Sequence, residues 1–139
     1  MPKQLILKCE KYSLFILCLL ALILRLWGVK QDLPYTYYGD ENYLIYHSLK
    51  FGTGDLNPHW FVWPTFFQYL LFFLFVIFYF IGFVVGWFKN TADFLYLYCS
   101  DPTIFFLIGR ITAALLGTVS IYLVYSLAKN AYDKTTGLI

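Results

Sequence analysis

Residues 64–88 form an unbroken run of 25 amino acids without a single charged side chain, PTFFQYLLFFLFVIFYFIGFVVGWF. No other feature limits the fold as strongly. As a helix the run would reach about 37 Å, enough to cross a ~30 Å hydrocarbon core with some tilt. Pro64 suits the start of such a helix, where its missing N–H costs nothing.

The rest of the chain agrees with a lipid environment. Of its 139 residues 60% are hydrophobic and only 13% are charged, whereas soluble domains carry about 25% charge. A soluble fold of this size leaves too much of its surface exposed to hide so much apolar area. A soluble enzyme, a disordered tail and a zinc module are therefore excluded. The net charge of +2, with no basic cluster, excludes a nucleic-acid binder. Cys9, Cys18 and Cys99 match no metal-ligand spacing and read as three free thiols packed as small hydrophobes.

Two further apolar runs flank polar segments. Lys3, Lys8 and Lys11 precede a run over 12–29 that ends in Arg25-Leu26-Trp27-Gly28. With no small-residue cleavage site after it, the segment reads as an uncleaved signal-anchor whose lysines hold the N-terminus in the cytoplasm. Arg25 is then expected to snorkel outward beside Trp27. Residues 30–63 form an external loop rich in acidic residues and in tyrosine and tryptophan, Tyr38 and Tyr43 among them, a composition suited to headgroup depth. Within it, 40–51 predicts a short amphipathic juxtamembrane helix: Asp40 caps it, Leu44, Ile45 and Leu49 make its apolar stripe, and Gly52 closes it. Residues 89–102 read as a polar break, 103–128 as a further span, and 129–136 as a polar turn before Gly137-Leu138-Ile139 becomes apolar again. That last feature reads as truncation at 139 within a larger polytopic protein. The expected architecture is all-α: one membrane domain over 1–139, multi-pass, with spans at about 12–29, 64–88 and 103–128.

The charges and the span count disagree. Three crossings from a cytoplasmic N-terminus leave Lys129 and Lys134 outside, yet positive charge favours the cytoplasm. A break at Gly82 and Gly86 that made 64–88 re-entrant would reconcile the two.

Few side chains could carry chemistry. Asp40 and Glu41 are adjacent at the outer face, and neighbours on a helix point about 100° apart. One carboxylate can therefore act as general base and the other only as its support; capping and the helix dipole are the competing roles. Arg110 lies inside a span, where a guanidinium is costly without a partner. Its fork fits a phosphate bidentately, or it pairs with a carboxylate such as Asp101, Asp40 or another buried acid. His47 and His59 are the only histidines. A divalent cation on Asp40, Glu41 and His47 is the less favoured use of these residues, and no resident metal or cofactor is expected.

Five motifs in order resemble the start of a GT-C glycosyltransferase of the protein O-mannosyltransferase-like and aminoarabinose-transferase-like branch. Arg25-Leu26-Trp27-Gly28 resembles the family's close of the first helix, and Gly39-Asp40-Glu41-Asn42-Tyr43 its "DE" motif. Residues 50–58 resemble the loop that follows, and Trp63-Pro64-Thr65 the juxtamembrane proline segment. Gly109-Arg110-Ile111-Thr112-Ala113-Ala114-Leu115-Leu116-Gly117-Thr118 resembles its "GR-x-x-SALLGT" helix.

The resemblance implies an integral-membrane transferase, and for this chain its N-terminal portion. A sugar would pass from a polyprenyl-phosphate donor to an acceptor hydroxyl at the outer membrane face, with inversion. Asp40 would be the base, Glu41 its support, and Arg110 a donor-binding residue. The aminoarabinose branch has an acid and a phosphate-contacting lysine just before the proline; Val62 and Trp63 stand there here, leaving His59 or Arg110 as substitutes. The implied partners are the bilayer, the lipid donor and an acceptor of unspecified identity, with no nucleic acid; the implied location is the plasma membrane in a prokaryote. The family pattern also favours a cytoplasmic position for 129–136. The alternatives are a small non-catalytic membrane protein whose acidic loop is merely interfacial and, behind it, a transporter fragment, which the lack of a broken polar helix disfavours.

Overall fold

The computed structural model describes residues 3–35, 37, 39–133 and 136–137, with side chains from residue 12 onward. The side chains of Lys3, Lys8, Cys9 and Lys11, and residues Tyr38, Lys134, Leu138 and Ile139 lie outside the described residues. The order is α1 (Lys3–Leu26), α2 (Gly39–Lys50), a 3-10 turn (Phe51–Thr53), α3 (Phe66–Val85), α4 (Thr91–Ser100) and α5 (Thr103–Ala131). Among the described residues every regular element is helical.

The chain divides into two compact units: Lys30–Arg110, and Met1–Val29 with Ile111–Ile139. In the Lys30–Arg110 unit, α2 packs against α3, and the start of α5 closes a core of Ile45, Leu71, Phe75, Phe105 and Phe106. Phe105 is the hub, with edge-to-face contacts to the rings of Phe75, Phe78 and Tyr98. Burying a side chain of this size contributes about 1.5–3 kcal/mol relative to leaving it in water.

The helix α3 is shorter than the apolar run that encodes it. It begins at Phe66, two residues after Pro64, and ends before Gly86, whose backbone takes a left-handed φ of 87°. Gly82 does not break it. The N–H groups of Trp87 and Phe88 turn back to donate to the Gly82 carbonyl, and Phe88 is buried. The 20 residues span about 30 Å without interruption.

Residues 89–102 are more than a polar break. They contain α4, started by a reciprocal cap: Asp93 N–H donates to the Asn90 side chain, and Lys89 N–H donates to the Asp93 carboxylate. Phe94, Leu97 and Tyr98 on α4 then pack on the core. Asp101 accepts from the Thr103 N–H and so opens α5. Hydrogen bonds from Thr103 hold the Asp101 carboxyl below its ordinary range.

In the other unit, α1 runs to Leu26 rather than residue 29, and α5 continues past the expected 128 to Ala131. Arg25 does not reach out beside Trp27. It turns back along its own helix, and its Nη1 donates to the Ala21 carbonyl at 3.2 Å.

Two helices, α3 and α5, are long and apolar enough to cross a membrane. Only 22% and 28% of their most hydrophobic windows are buried, whereas the central helix of a soluble protein would be largely covered. Phe73, Phe80 and Val84 of α3 and Val119, Leu123 and Val124 of α5 stand exposed. The described apolar part of α1, Tyr12–Leu26, is shorter. Cys18 is half-buried and Cys99 exposed, both as free thiols, so Cys99 does not pack as expected of a small hydrophobe.

Candidate functional site

The acidic pair sits in the first turn of α2. The helix starts at Gly39, one residue earlier than expected, which places Asp40 and Glu41 inside the helix rather than at its cap. Both carboxylates there face the positive end of the helix dipole. Its far end also shifts: Gly52 lies inside the 3-10 turn, and Gly54, with its N–H on the Phe51 carbonyl, closes it.

The two acids have different surroundings. Asp40 is exposed, and among the described residues no hydrogen bond or ion pair engages its carboxylate. Glu41 is half-buried and taken by Arg110. Arg110 Nε donates to Glu41 Oε1 at 2.6 Å, Nη2 donates to Oε2 at 2.8 Å, and Nη1 donates to the Gln31 carbonyl at 2.8 Å. Both side chains of the pair retain about a fifth of their exposure, at 21% and 22%. Arg110 therefore pairs with a carboxylate, but with neither Asp101 nor Asp40. Asp101 is engaged in starting α5. Asp32 is close enough to add to the negative field around the guanidinium.

Gly109 makes this pairing reachable. A Cβ on Gly109 would meet Ile45 Cδ1 at 3.2 Å and Leu71 Cδ2 at 4.0 Å. Ile45 lies one turn after Glu41, on the same face of α2. Without a side chain at 109, α5 lies against that face, and the next residue, Arg110, meets Glu41.

His59 sits in the loop after the 3-10 turn. Asp55 accepts from the Asn57 N–H at 2.9 Å and contacts His59 Nε2 at 2.7 Å, while Asn57 accepts from the His59 N–H. The Asn57 N–H first, and then the His59 ring, hold the Asp55 carboxyl below its ordinary range. Asp55 and His59 are both more than half exposed, so the pair organises its own loop. Nothing brings His59 to Asp40.

Further along α2, Tyr43 and His47 stack side by side beneath Trp60, and Trp63 meets Trp60 edge-on. Tyr43 and His47 stand at i, i+4 on α2, but Trp60 comes from a loop that no helical periodicity reaches, and the cluster was not anticipated from the sequence. Among the described residues His47 Nδ1 is buried without a partner. So are both amide atoms of Gln68, which is 0% exposed within α3. No group of three or more His, Cys, Asp or Glu among the described residues could hold a metal ion.

A cleft of about 400 Å³ lies at the other end of α2, lined by Leu49, Thr53, Phe72, Tyr79 and Phe94 among others. It is separate from the acidic pair. No family model, curated protein or solved structure matches the chain.

Proposed function

We propose that the chain is the N-terminal part of a multi-pass GT-C-type glycosyltransferase, with α2 as an amphipathic juxtamembrane helix at the outer membrane face. In this reading Asp40 takes the proton of an acceptor hydroxyl as its oxygen attacks the anomeric carbon of a polyprenyl-phosphate sugar. The bond from that carbon to the phosphate oxygen breaks, and polyprenyl phosphate leaves. The configuration inverts.

The observation that carries the reading is the contrast between the two acids. Glu41 is committed to Arg110 through both oxygens, while its neighbour Asp40 is exposed and unengaged. A base must reach the proton it removes, and of the pair only Asp40 is open to do so. Glu41 and Arg110 then serve as the brace that fixes the first turn of α2. The donor phosphate falls to groups other than the Arg110 face that Glu41 occupies.

A second reading has its own support. The Arg110–Glu41 pair also suits a non-catalytic membrane protein in which the acidic turn is only interfacial, since removing either partner would leave a half-buried charge. The experiment that separates the two is transfer itself. Membranes containing the protein are incubated with radiolabelled polyprenyl-phosphate mannose, glucose or aminoarabinose, and polyprenyl phosphate release is measured. Release above that of membranes lacking the protein supports the transferase. The assay uses the full-length transferase that the proposal implies; no release by it with any donor, from protein shown to be folded and inserted, favours the non-catalytic reading.

A further inference from the structure

In the unit formed by Met1–Val29 and Ile111–Ile139, a groove of about 460 Å³ runs between α1 and α5. Leu14, Leu17, Leu20 and Leu24 line one wall, and Ile121 and Val124 the other. From Leu14 to Leu24 the α1 wall is about 15 Å long. Leu17, Leu20, Leu24 and Val124 remain 42–65% exposed, so the trough is open along its length.

Its mouth is charged. Arg25 follows Leu24 directly, and its side chain lies against Gly117, one turn before the groove residues of α5 begin. A Cβ on Gly117 would meet Arg25 Nε at 2.8 Å, so the guanidinium occupies space that any larger residue would take. Arg25 is exposed at the groove's end, and among the described residues its one hydrogen bond goes back along α1 to the Ala21 carbonyl. Among the described residues no carboxylate pairs with it. A guanidinium at the edge of an apolar groove favours an anionic partner, and its planar fork is matched to phosphate.

An apolar trough about as long as an acyl segment, with an uncompensated guanidinium at one end, is complementary to an anionic amphiphile. We propose that the α1–α5 groove holds an anionic glycerophospholipid, with its phosphate on Arg25 and an acyl chain along Leu14–Leu24. The site is independent of Asp40 and does not rest on the transferase reading. The lipid neutralises Arg25 and covers the exposed leucines, so it acts as a fixed part of the α1–α5 pair.

The test uses the whole chain in nanodiscs of equal parts phosphatidylglycerol and phosphatidylcholine. It is extracted into mild detergent, and its retained lipid is identified by native mass spectrometry. Phosphatidylglycerol is expected to be retained preferentially. Arg25→Gln should lower that retention about fivefold, the scale of one basic residue at an anionic surface. Leu20→Trp, which fills the groove, should abolish it, while Phe15→Trp, which is outside the groove, should leave it unchanged. Each variant is checked for wild-type helicity, and Arg25→Lys should recover part of the retention if a variant lowers helicity. Equal retention of the two lipids, retention that survives both Arg25→Gln and Leu20→Trp, or displacement of the lipid by inorganic phosphate would overturn the proposal. The last result would mark a site for free anions.

Discussion

Arg110 grips Glu41 side-on, with Nε to Oε1 at 2.6 Å and Nη2 to Oε2 at 2.8 Å, across 69 residues of sequence. The contact ties the first turn of α2 to α5, and through Nη1 it also holds the segment at Gln31. It is therefore the polar counterpart of the Ile45–Phe105 core on the same two helices.

If the grip is geometric as well as electrostatic, lysine cannot replace arginine, because an ammonium lacks the paired donors. Arg110→Lys and Glu41→Gln should each cost about 1–3 kcal/mol of unfolding free energy, and the double variant less than their sum. Chemical unfolding in detergent, run as a double-mutant cycle, measures the coupling. Additive losses would show that the two residues act separately.

Gln68 tests the opposite situation, a buried amide without partners in α3. Replacing both unsatisfied atoms with apolar ones of similar size removes a desolvation cost of about 1–3 kcal/mol. Gln68→Leu should therefore raise the melting temperature. A fall would mean that the amide makes a stabilising polar contact in the folded protein.

The loop at 55–59 carries a pH dependence of defined sign. The Asp55 carboxyl is held below its ordinary range by the Asn57 N–H and then by His59. A carboxyl with a lowered folded value stabilises its loop at all pH above the ordinary carboxylate range, and that stabilisation is lost as pH falls through the lowered value. Hydrogen-exchange protection of the Asn57 and His59 amides should hold at neutral pH and decline below about pH 4. In Asp55→Asn the protection should be independent of pH over that range. A wild-type profile as flat as that of the variant would contradict the assignment.

For topology, a single cysteine at Thr53 in a background without Cys9, Cys18 and Cys99 should react with an impermeant maleimide in intact cells, since the basic N-terminus favours the cytoplasm. Labelling only after permeabilisation would place α2 inside and remove Asp40 from the outer face.

The sequence made the long elements legible because their signals are local. The uncharged run encoded α3, and the apolar stretch from Thr103 encoded α5. The ends were less legible. Gly86 rather than Phe88 stops α3, because Phe88 returns to cover Gly82, a tertiary contact that hydropathy does not register. The helix α4 was missed because Asp93 within it and Asp101 after it made the segment read as a polar break, although the spacing of Asn90 and Asp93 is a helix-start signal. The composition of α5 announced that Arg110 needs a partner. Only the fold selects Glu41 over Asp101, since the choice depends on Gly109 letting α5 lie against Ile45. Gln68 and the Trp60 stack on His47 gave no signal that spacing could reveal.

The central claim is that Asp40 is the base and Glu41 its brace. The direct measurement is turnover of the full-length protein with the proposed polyprenyl-phosphate sugar donor for wild type, Asp40→Asn and Glu41→Gln. The account expects Asp40→Asn to lose about 10²–10⁴-fold in turnover, with unfolding unchanged because among the described residues nothing engages that carboxylate. Glu41→Gln should lose less turnover but more stability. Near-wild-type turnover in Asp40→Asn would contradict the account and leave the acidic pair as a helix-dipole and ion-pair device.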